Sequence, residues 1–147
     1  GGSITAYDCD RVMAVFVGDA KNSTAARTAL KINWAAKALV QPAIKSRHPD
    51  TTYVLRHTVG IDTSKLRVAR AGIRGANDLV WIGRAANWAA KLCALPHEYP
   101  SWITKAVYDR LQDKSKFATD GRNMWEERSW TPMNNASIYR SSFWWPL

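Results

Sequence analysis

The hydrophobic positions first follow the spacing of a strand and then that of a helix. Residues 11–17 are β-branched or apolar almost throughout and predict a strand. Apolar residues then recur every three or four positions over residues 25–40, which predicts an amphipathic helix capped by Ser23 or Thr24 and kinked or ended by Pro42. Three further strands are predicted over residues 53–61, 66–73 and 79–82, with a turn at residues 75–78.

The second half of the chain predicts two helices and two closing strands. Residues 84–95 show helical spacing and stop before Pro96, and Ser101 can cap a further helix that runs to Leu111. Closing strands are predicted at residues 124–128 and 136–143. This element order predicts an α+β fold in which helices pack on one face of an antiparallel or mixed sheet.

Composition is that of one packed domain over residues 1–147. Of the 147 residues, 46% are hydrophobic and 22% are charged, as is ordinary for a globular protein. No apolar run approaches the roughly 20 residues that span a bilayer, so no membrane partner is expected. Because Cys9 and Cys93 are the only cysteines, no disulfide framework is expected, and a cytoplasmic protein fits best.

Positive charge points to an anionic partner. The 21 Lys and Arg residues against 12 Asp and Glu residues give a net charge of +9, which suits nucleic acid, an acidic surface or a polyphosphate. The eight tryptophans could stack single-stranded bases. Trp34, Trp81 and Trp88 lie inside predicted elements, however, where large aromatic residues usually fill a core or an interface.

Candidate chemistry is concentrated at two places. Asp8 and Asp10 flank the start of the first predicted strand, where carboxylates either bind Mg²⁺ or Mn²⁺ or simply face water. Asn87 and Lys91 are four residues apart on an alanine-rich helix and therefore project from one face. Lysine suits a phosphate group, although both side chains could also be solvated. His57 is interpreted as a core histidine.

Three segments together resemble the class III nucleotidyl cyclases. Residues 7–16, Tyr-Asp-Cys-Asp-Arg-Val-Met-Ala-Val-Phe, resemble the hairpin in which a Gly-Asp pair precedes an apolar strand. Residues 80–92 resemble the family helix Gly-x-x-Val-Asn-x-Ala-x-Arg-Leu, and residues 59–64 resemble the strand Gly-Ile-His-x-Gly. The amino-acid sequences of the first two segments are most similar to those of the pyrimidine cyclases of bacterial Pycsar anti-phage systems.

The resemblance implies a fold, a reaction and a set of roles. The fold would be a ferredoxin-like central sheet with packed helices, and the reaction would convert a nucleoside triphosphate into its 3′,5′-cyclic monophosphate with release of pyrophosphate. Asp10 would hold divalent metal, with two Mn²⁺ or Mg²⁺ ions expected, and Asn87 would orient the ribose. Lys91 would replace the arginine that steadies the phosphate. The family forms head-to-tail homodimers with shared active sites.

Two further positions of the family pattern bear on which nucleotide base is selected. Purine cyclases carry a polar pair where this chain has Ala6 and Val80, and neither side chain can form a hydrogen bond. The resemblance therefore favours a pyrimidine substrate, with UTP preferred over CTP. It also implies that the cyclic product is a second messenger in anti-phage defence, sensed by a downstream effector.

One departure from the family leaves alternatives open. The family's first metal aspartate lies on a strand upstream of the hairpin, and no such strand is found in this sequence. We expect an N-terminal portion to be missing, since the loss of a central strand would leave an unpaired sheet edge. The alternatives are a degenerate nucleotide-binding or dimerisation module of the same fold and a basic single-stranded nucleic acid binder.

Overall fold

The computed structural model describes residues 2–73 and 76–147. Its strands and helices alternate in a mixed order, and none of the helices described is long and apolar enough to cross a membrane. In chain order the elements are β1 (Gly2–Asp8), β2 (Arg11–Phe16), α1 (Lys21–Ala35), a π-helical turn (Ala36–Val40), α2 (Gln41–Arg47), β3 (Val59–Ile61), β4 (Arg67–Ile73), β5 (Ala76–Ile82), α3 (Arg84–Leu92), β6 (Ser101–Thr104), α4 (Lys105–Tyr108), α5 (Asp113–Lys116), β7 (Glu126–Trp130), a 3₁₀ turn (Thr131–Met133) and β8 (Ala136–Ser141).

A four-stranded mixed sheet forms the centre of the fold. Its strand order is β3-β6-β8-β7, in which β3 runs parallel to β6 and the other pairs are antiparallel. This arrangement confirms the predicted α+β class. The strands β1 and β2 form a separate antiparallel hairpin, and β4 and β5 form another.

Helices cover both faces of the central sheet, so the prediction of helices on one face was wrong. Successive side chains of a strand point to opposite faces, and all four residues of β6 are buried. Trp102 of β6 packs with Leu92 of α3, whereas the next residue, Ile103, packs with Leu30 of α1. A strand buried on both faces lacks the polar alternation that identifies a half-buried strand.

The predicted helix from Ser101 to Leu111 was also wrong. Residues Ser101–Thr104 form β6, and the helix that follows covers only Lys105–Tyr108. Ile103, Val107 and Leu111 do enter one core cluster, as their helical spacing suggested. They reach it from a strand, a short helix and the segment after that helix, so the spacing did not require one continuous helix.

The first long helix continues past Pro42. It begins at Lys21 without a side-chain cap and leads through the π-helical turn into α2, which carries Pro42 in its first turn. Val40 and Gln41 keep right-handed helical angles, so Pro42 lies within a continuous helical path, and the π-helical turn directly before it changes the hydrogen-bond pattern where proline lacks an N–H. Helix α3 ends at Leu92, three residues earlier than predicted.

Two predicted strands differ in their bounds. Of residues 53–61, only Val59–Ile61 form a strand. The backbone before it is held instead by the Gln41 side chain, which donates to the Tyr53 carbonyl and accepts from the Leu55 N–H. The turn predicted at residues 75–78 is strand from Ala76 onward, while Gly75 lies outside the described residues. Strand β1 was not predicted, since its pairing with β2, not its apolar pattern, defines it.

The tryptophans and His57 are mostly accounted for by packing. Trp125 and Trp130 are buried in the two core clusters, and Trp34, Trp81 and Trp88 are half-buried. Trp144 is exposed. His57 is half-buried, and burial, followed by the nearby Lys37 charge, lowers its pKa.

Candidate active site

Asp10 lies in the turn of the first hairpin. Asp8 pairs with Arg11 across the β1–β2 ladder, so Cys9 and Asp10 form a two-residue loop. The Arg11 guanidinium donates to the Asp8 carboxylate at 2.6 Å. The Asp10 side chain is 91% exposed, and Arg11 Nε lies 3.9 Å from it. Asp8 is therefore engaged within the hairpin, whereas the Asp10 carboxylate faces solvent.

Asn87 and Lys91 lie on the exposed side of α3. Ala85 and Leu92 are the buried residues of this helix, which packs on β3, β5 and β6. Both Asn87 and Lys91 are exposed, on one helix in which their spacing of four residues places them on the same face. The Lys91 ammonium donates to the thioether sulfur of Met133 at 3.7 Å. This contact is weak, so the lysine charge remains available to an anion.

Ala6 and Val80 lie at the surface of the two hairpins. Ala6 is exposed on β1 and lines an open cleft of about 480 Å³ whose other walls include Leu79 of β5. Val80, the neighbour of Leu79 in sequence, is 42% exposed. The cleft is lined by Ile4, Thr5, Ala6, Tyr7 and Leu79. Ala6 and Val80 thus contribute apolar surface and no hydrogen-bonding side chain.

The described structure shows no bond between the predicted site residue on the hairpin, Asp10, and those on α3. In the described part of the structure, neither a hydrogen bond nor an ion pair links Asp10 to Asn87 or Lys91. At the end of the helix that carries Lys91, burial raises the pKa of the Cys93 thiol, and the Gly60 N–H and the Arg11 charge partly oppose this increase.

Comparison with known proteins finds relatives that align with the whole chain. It is 51% identical over 147 residues to a uridylate cyclase of Xanthomonas perforans and 57% identical over 147 residues to one of Burkholderia cepacia. A uridylate cyclase of Rhodovulum is 44% identical over 151 residues. No family model matches. Over its full length, the chain is therefore similar to proteins named uridylate cyclase. It spans 62–63% of the length of these relatives.

Two solved cyclase structures share the fold of the chain. A bacterial light-regulated adenylyl cyclase matches 99% of the chain with a TM-score of 0.75 and 22% identity, and the match covers 40% of that protein. A guanylyl cyclase matches 98% of the chain with a TM-score of 0.76 and 13% identity, covering 71% of that protein. The chain therefore has the fold of these cyclase structures, as the resemblance of its motifs implied.

The residues present are compatible with a divalent cation, as this fold implies. Carboxylate oxygens are the ligands that Mg²⁺ and Mn²⁺ prefer, and Mg²⁺ usually takes one or two protein carboxylates together with substrate phosphates. The exposed Asp10 carboxylate meets that description. Within residues 2–73 and 76–147, no group of three or more His, Cys, Asp or Glu side chains could hold a metal alone.

Asp62, which directly follows β3, is a candidate site residue that the sequence did not identify. Its side chain is 0% exposed. Asp62 Oδ1 accepts from the Thr104 hydroxyl at 2.5 Å and from Arg84 Nη2 at 3.3 Å. Sequence spacing carries no signal for this arrangement, since Thr104 is 42 residues away.

Proposed function

We propose that this domain cyclises a pyrimidine nucleoside triphosphate, with UTP favoured over CTP, to the 3′,5′-cyclic monophosphate. Identity of 51% and 57% over all 147 residues to proteins named uridylate cyclase carries the proposal. The apolar Ala6 and Val80, at positions where purine cyclases of this fold carry a polar pair, support a pyrimidine base. The resemblance to Pycsar cyclases further suggests a cyclic second messenger that a downstream effector senses during anti-phage defence.

Each candidate residue has a role in this proposal. Bound Mn²⁺ or Mg²⁺ ions would help deprotonate the 3′ hydroxyl and neutralise charge on the phosphates. Asp10 supplies one of their carboxylate ligands. Asn87 has an amide that can donate to and accept from ribose oxygens. Lys91 places a point charge at the α-phosphate, where the 3′ oxygen bonds to phosphorus and pyrophosphate leaves.

The proposal includes a homodimer with shared sites. Both hairpins expose large apolar side chains that one chain leaves uncovered; these are Ile4, Val12, Val68, Leu79, Val80 and Ile82. Contiguous exposed apolar residues are typical of protein interfaces. In a head-to-tail dimer, Asp10 of one subunit would meet substrate held by Asn87 and Lys91 of the other.

The deciding experiment is an assay of the longest chain that the gene encodes. It is incubated with Mn²⁺ and with ATP, GTP, CTP or UTP separately, and products are identified by mass spectrometry. Cyclic UMP is the expected product.

The Asp10→Ala variant tests the proposed metal ligand. Turnover should fall at least about 100-fold, since a metal ligand at the reacting phosphate is lost. Asp50→Ala, which removes an exposed loop carboxylate, is the matched control and should leave the rate unchanged.

A degenerate binding or dimerisation module is the second candidate. Lys91 in place of an arginine favours it, because lysine lacks the bidentate fork that a phosphate accepts. Formation of no cyclic product from any of the four nucleotides, with UTP binding intact, would support this module over the enzyme. A nucleic acid binder would instead show oligonucleotide affinity that falls steeply with salt.

A further inference from the structure

The direction of Asn87 and Lys91 depends on how α3 is attached to the sheet. Arg84, the first residue of α3, donates through Nη2 to Asp62 Oδ1 at 3.3 Å and to the Thr63 carbonyl at 2.8 Å. Its guanidinium also lies 4.9 Å from the ring centroid of Trp88, one turn further along α3. One side chain thus links the loop after β3 to the first turns of the helix.

A second contact attaches the same end of α3 to the same loop. The Ser64 hydroxyl accepts the N–H of Ala85 at 3.0 Å, which satisfies one of the unpaired donors at the start of a helix. Further along, Gly60 of β3 packs so closely on α3 that an added Cβ would lie 2.2 Å from the Ala89 carbonyl oxygen. The helix therefore has little freedom to move relative to β3.

Asp62 ties this attachment to the centre of the sheet. Its carboxylate connects Arg84 to Thr104, the last residue of β6, and Asp62 Oδ2 is buried with no hydrogen-bond partner in the described structure. A buried carboxylate is well compensated only when its ion pair and hydrogen bonds have excellent geometry. Thr104 satisfies Oδ1 at 2.5 Å, but Arg84 is 3.3 Å away and Oδ2 has no partner among the described residues, so the charge is only partly compensated.

We propose that Asp62 is a positioning residue that acts through Arg84 to hold the start of α3, and so directs Asn87 and Lys91 toward the ribose and the phosphates. The inference rests on the proposed cyclase function. It makes Asp62 and Arg84 a coupled pair whose joint effect is on the chemical step. Substrate affinity, which also depends on other contacts, should change less.

The test compares kcat and KM for UTP in the full-length protein. Asp62→Asn keeps the size of the side chain and removes its charge, so kcat should fall about 10–100-fold with a change in KM of less than about 3-fold. Asp120→Asn is the matched control, because it removes a partly exposed carboxylate whose pair with Arg122 at 2.7 Å is far along the chain from α3. It should leave kcat unchanged.

A double-mutant cycle tests whether Asp62 acts through Arg84. Arg84→Met should lower kcat by a similar factor, and the Asp62→Asn/Arg84→Met variant should be no slower than the worse single variant. Multiplied losses in the double variant, or wild-type kcat in Asp62→Asn, would overturn the inference. Asp62→Asn could lower the melting temperature, because Asp62 is buried. The Arg84 side chain is 43% exposed, so we expect Arg84→Met to fold and to test the same contact.

A separate readout distinguishes failure of this inference from failure of the proposed function. If the wild-type protein forms no cyclic product, the cyclase proposal fails first. The backbone amide resonances of Asn87 and Lys91 then report on α3 without turnover. They should shift in Asp62→Asn and stay in place in Asp120→Asn, and unchanged resonances in both variants would refute the positioning role.

Discussion

The turn of the β1–β2 hairpin holds Cys9 in a conformation that suits glycine. Its φ is +48°, and an L-residue pays about 1–2 kcal/mol for the left-handed region. The resembled family pattern has glycine at this position, directly before the aspartate. The side chain of Cys9 therefore carries a conformational cost in the loop that displays Asp10.

Replacing Cys9 with glycine should stabilise the protein. Cys9→Gly removes the steric cost but increases the entropy of the unfolded chain, so we expect a net gain of about 0.5–1 kcal/mol in the free energy of unfolding. Urea denaturation measures it. Cys9→Ala is the control, because it removes the thiol and keeps the Cβ, and it should give no gain. A lower stability for Cys9→Gly would show that the turn is not strained.

Single residues also show how far the sequence could identify the candidate site. Asn87 and Lys91 were predicted to project from one face of a helix, and the structure confirms the helix and shows that both residues are exposed. Their roles remain predictions, as do those of Asp10, Ala6 and Val80. Asp62 could not be placed, because its partners Arg84 and Thr104 lie 22 and 42 residues away.

Among the elements, α3 and β3 form the closest contact of the candidate site. Gly60 leaves no room for a side chain: an added Cβ would lie 2.2 Å from the Ala89 carbonyl oxygen and 2.9 Å from the Cys93 amide nitrogen. Both atoms belong to the backbone, so the helix itself would have to move. The Gly60 N–H also donates to Cys93 Sγ at 3.2 Å.

Gly60→Ala should therefore displace α3 and impair both stability and turnover. We expect a loss of about 1–3 kcal/mol in the free energy of unfolding, typical of overpacking, and a lower kcat for UTP. Gly121→Ala is the matched control: its Cβ would meet open space, although its φ of +81° still makes the substitution unfavourable by about 1 kcal/mol. Full cyclase activity in Gly60→Ala would contradict the dependence of the site on this contact.

Strand β6 shows why an element can be assigned to the wrong class. Its four residues are all buried, and a central strand has no polar face to reveal a two-residue period. Ile103, Val107 and Leu111 share a helical spacing because all three reach the same core cluster. The spacing of apolar residues indicates which residues face a common core, but it does not determine whether the backbone between them is helix or strand.

At the scale of the whole molecule, the candidate site residues lie on two separate elements of the chain. Asp10 lies on the first hairpin and Asn87 and Lys91 on α3, with no direct bond between them in the described residues. A head-to-tail dimer would supply each site with one set from each subunit. Closed two-fold dimers, in which two equivalent contacts form, are the most common oligomers.

Complementation tests this arrangement directly. Asp10→Ala and Lys91→Ala should each be nearly inactive, whereas an equal mixture after subunit exchange should recover about a quarter of wild-type activity, because half of the dimers then contain one intact site of two. Product formation is measured by mass spectrometry. Mixing Asp10→Ala with Asn87→Ala should restore activity, whereas mixing Lys91→Ala with Asn87→Ala should not. No recovery in any mixture would place the site within one subunit.

The local sequence pattern was enough to predict the structural features that depend on residues close together in the chain. Strand β2 and helix α3 followed from the run of apolar residues, helical spacing and stop signals, and the α+β class followed from element order. The shared helix face of Asn87 and Lys91 followed from their spacing of four residues. The cyclase resemblance rested on three short motifs in the right order. Such motifs are readable because backbone geometry sets the spacing of side chains within one element.

Tertiary structure decided the features that depend on distant residues. The strand order β3-β6-β8-β7, the burial of Asp62 between Arg84 and Thr104, and the close packing of Gly60 on α3 all join segments separated in the chain. Strand β1 exists through its pairing with β2, whatever its own pattern. Burial and long-range hydrogen bonding are properties of the folded arrangement, so no residue spacing could state them in advance.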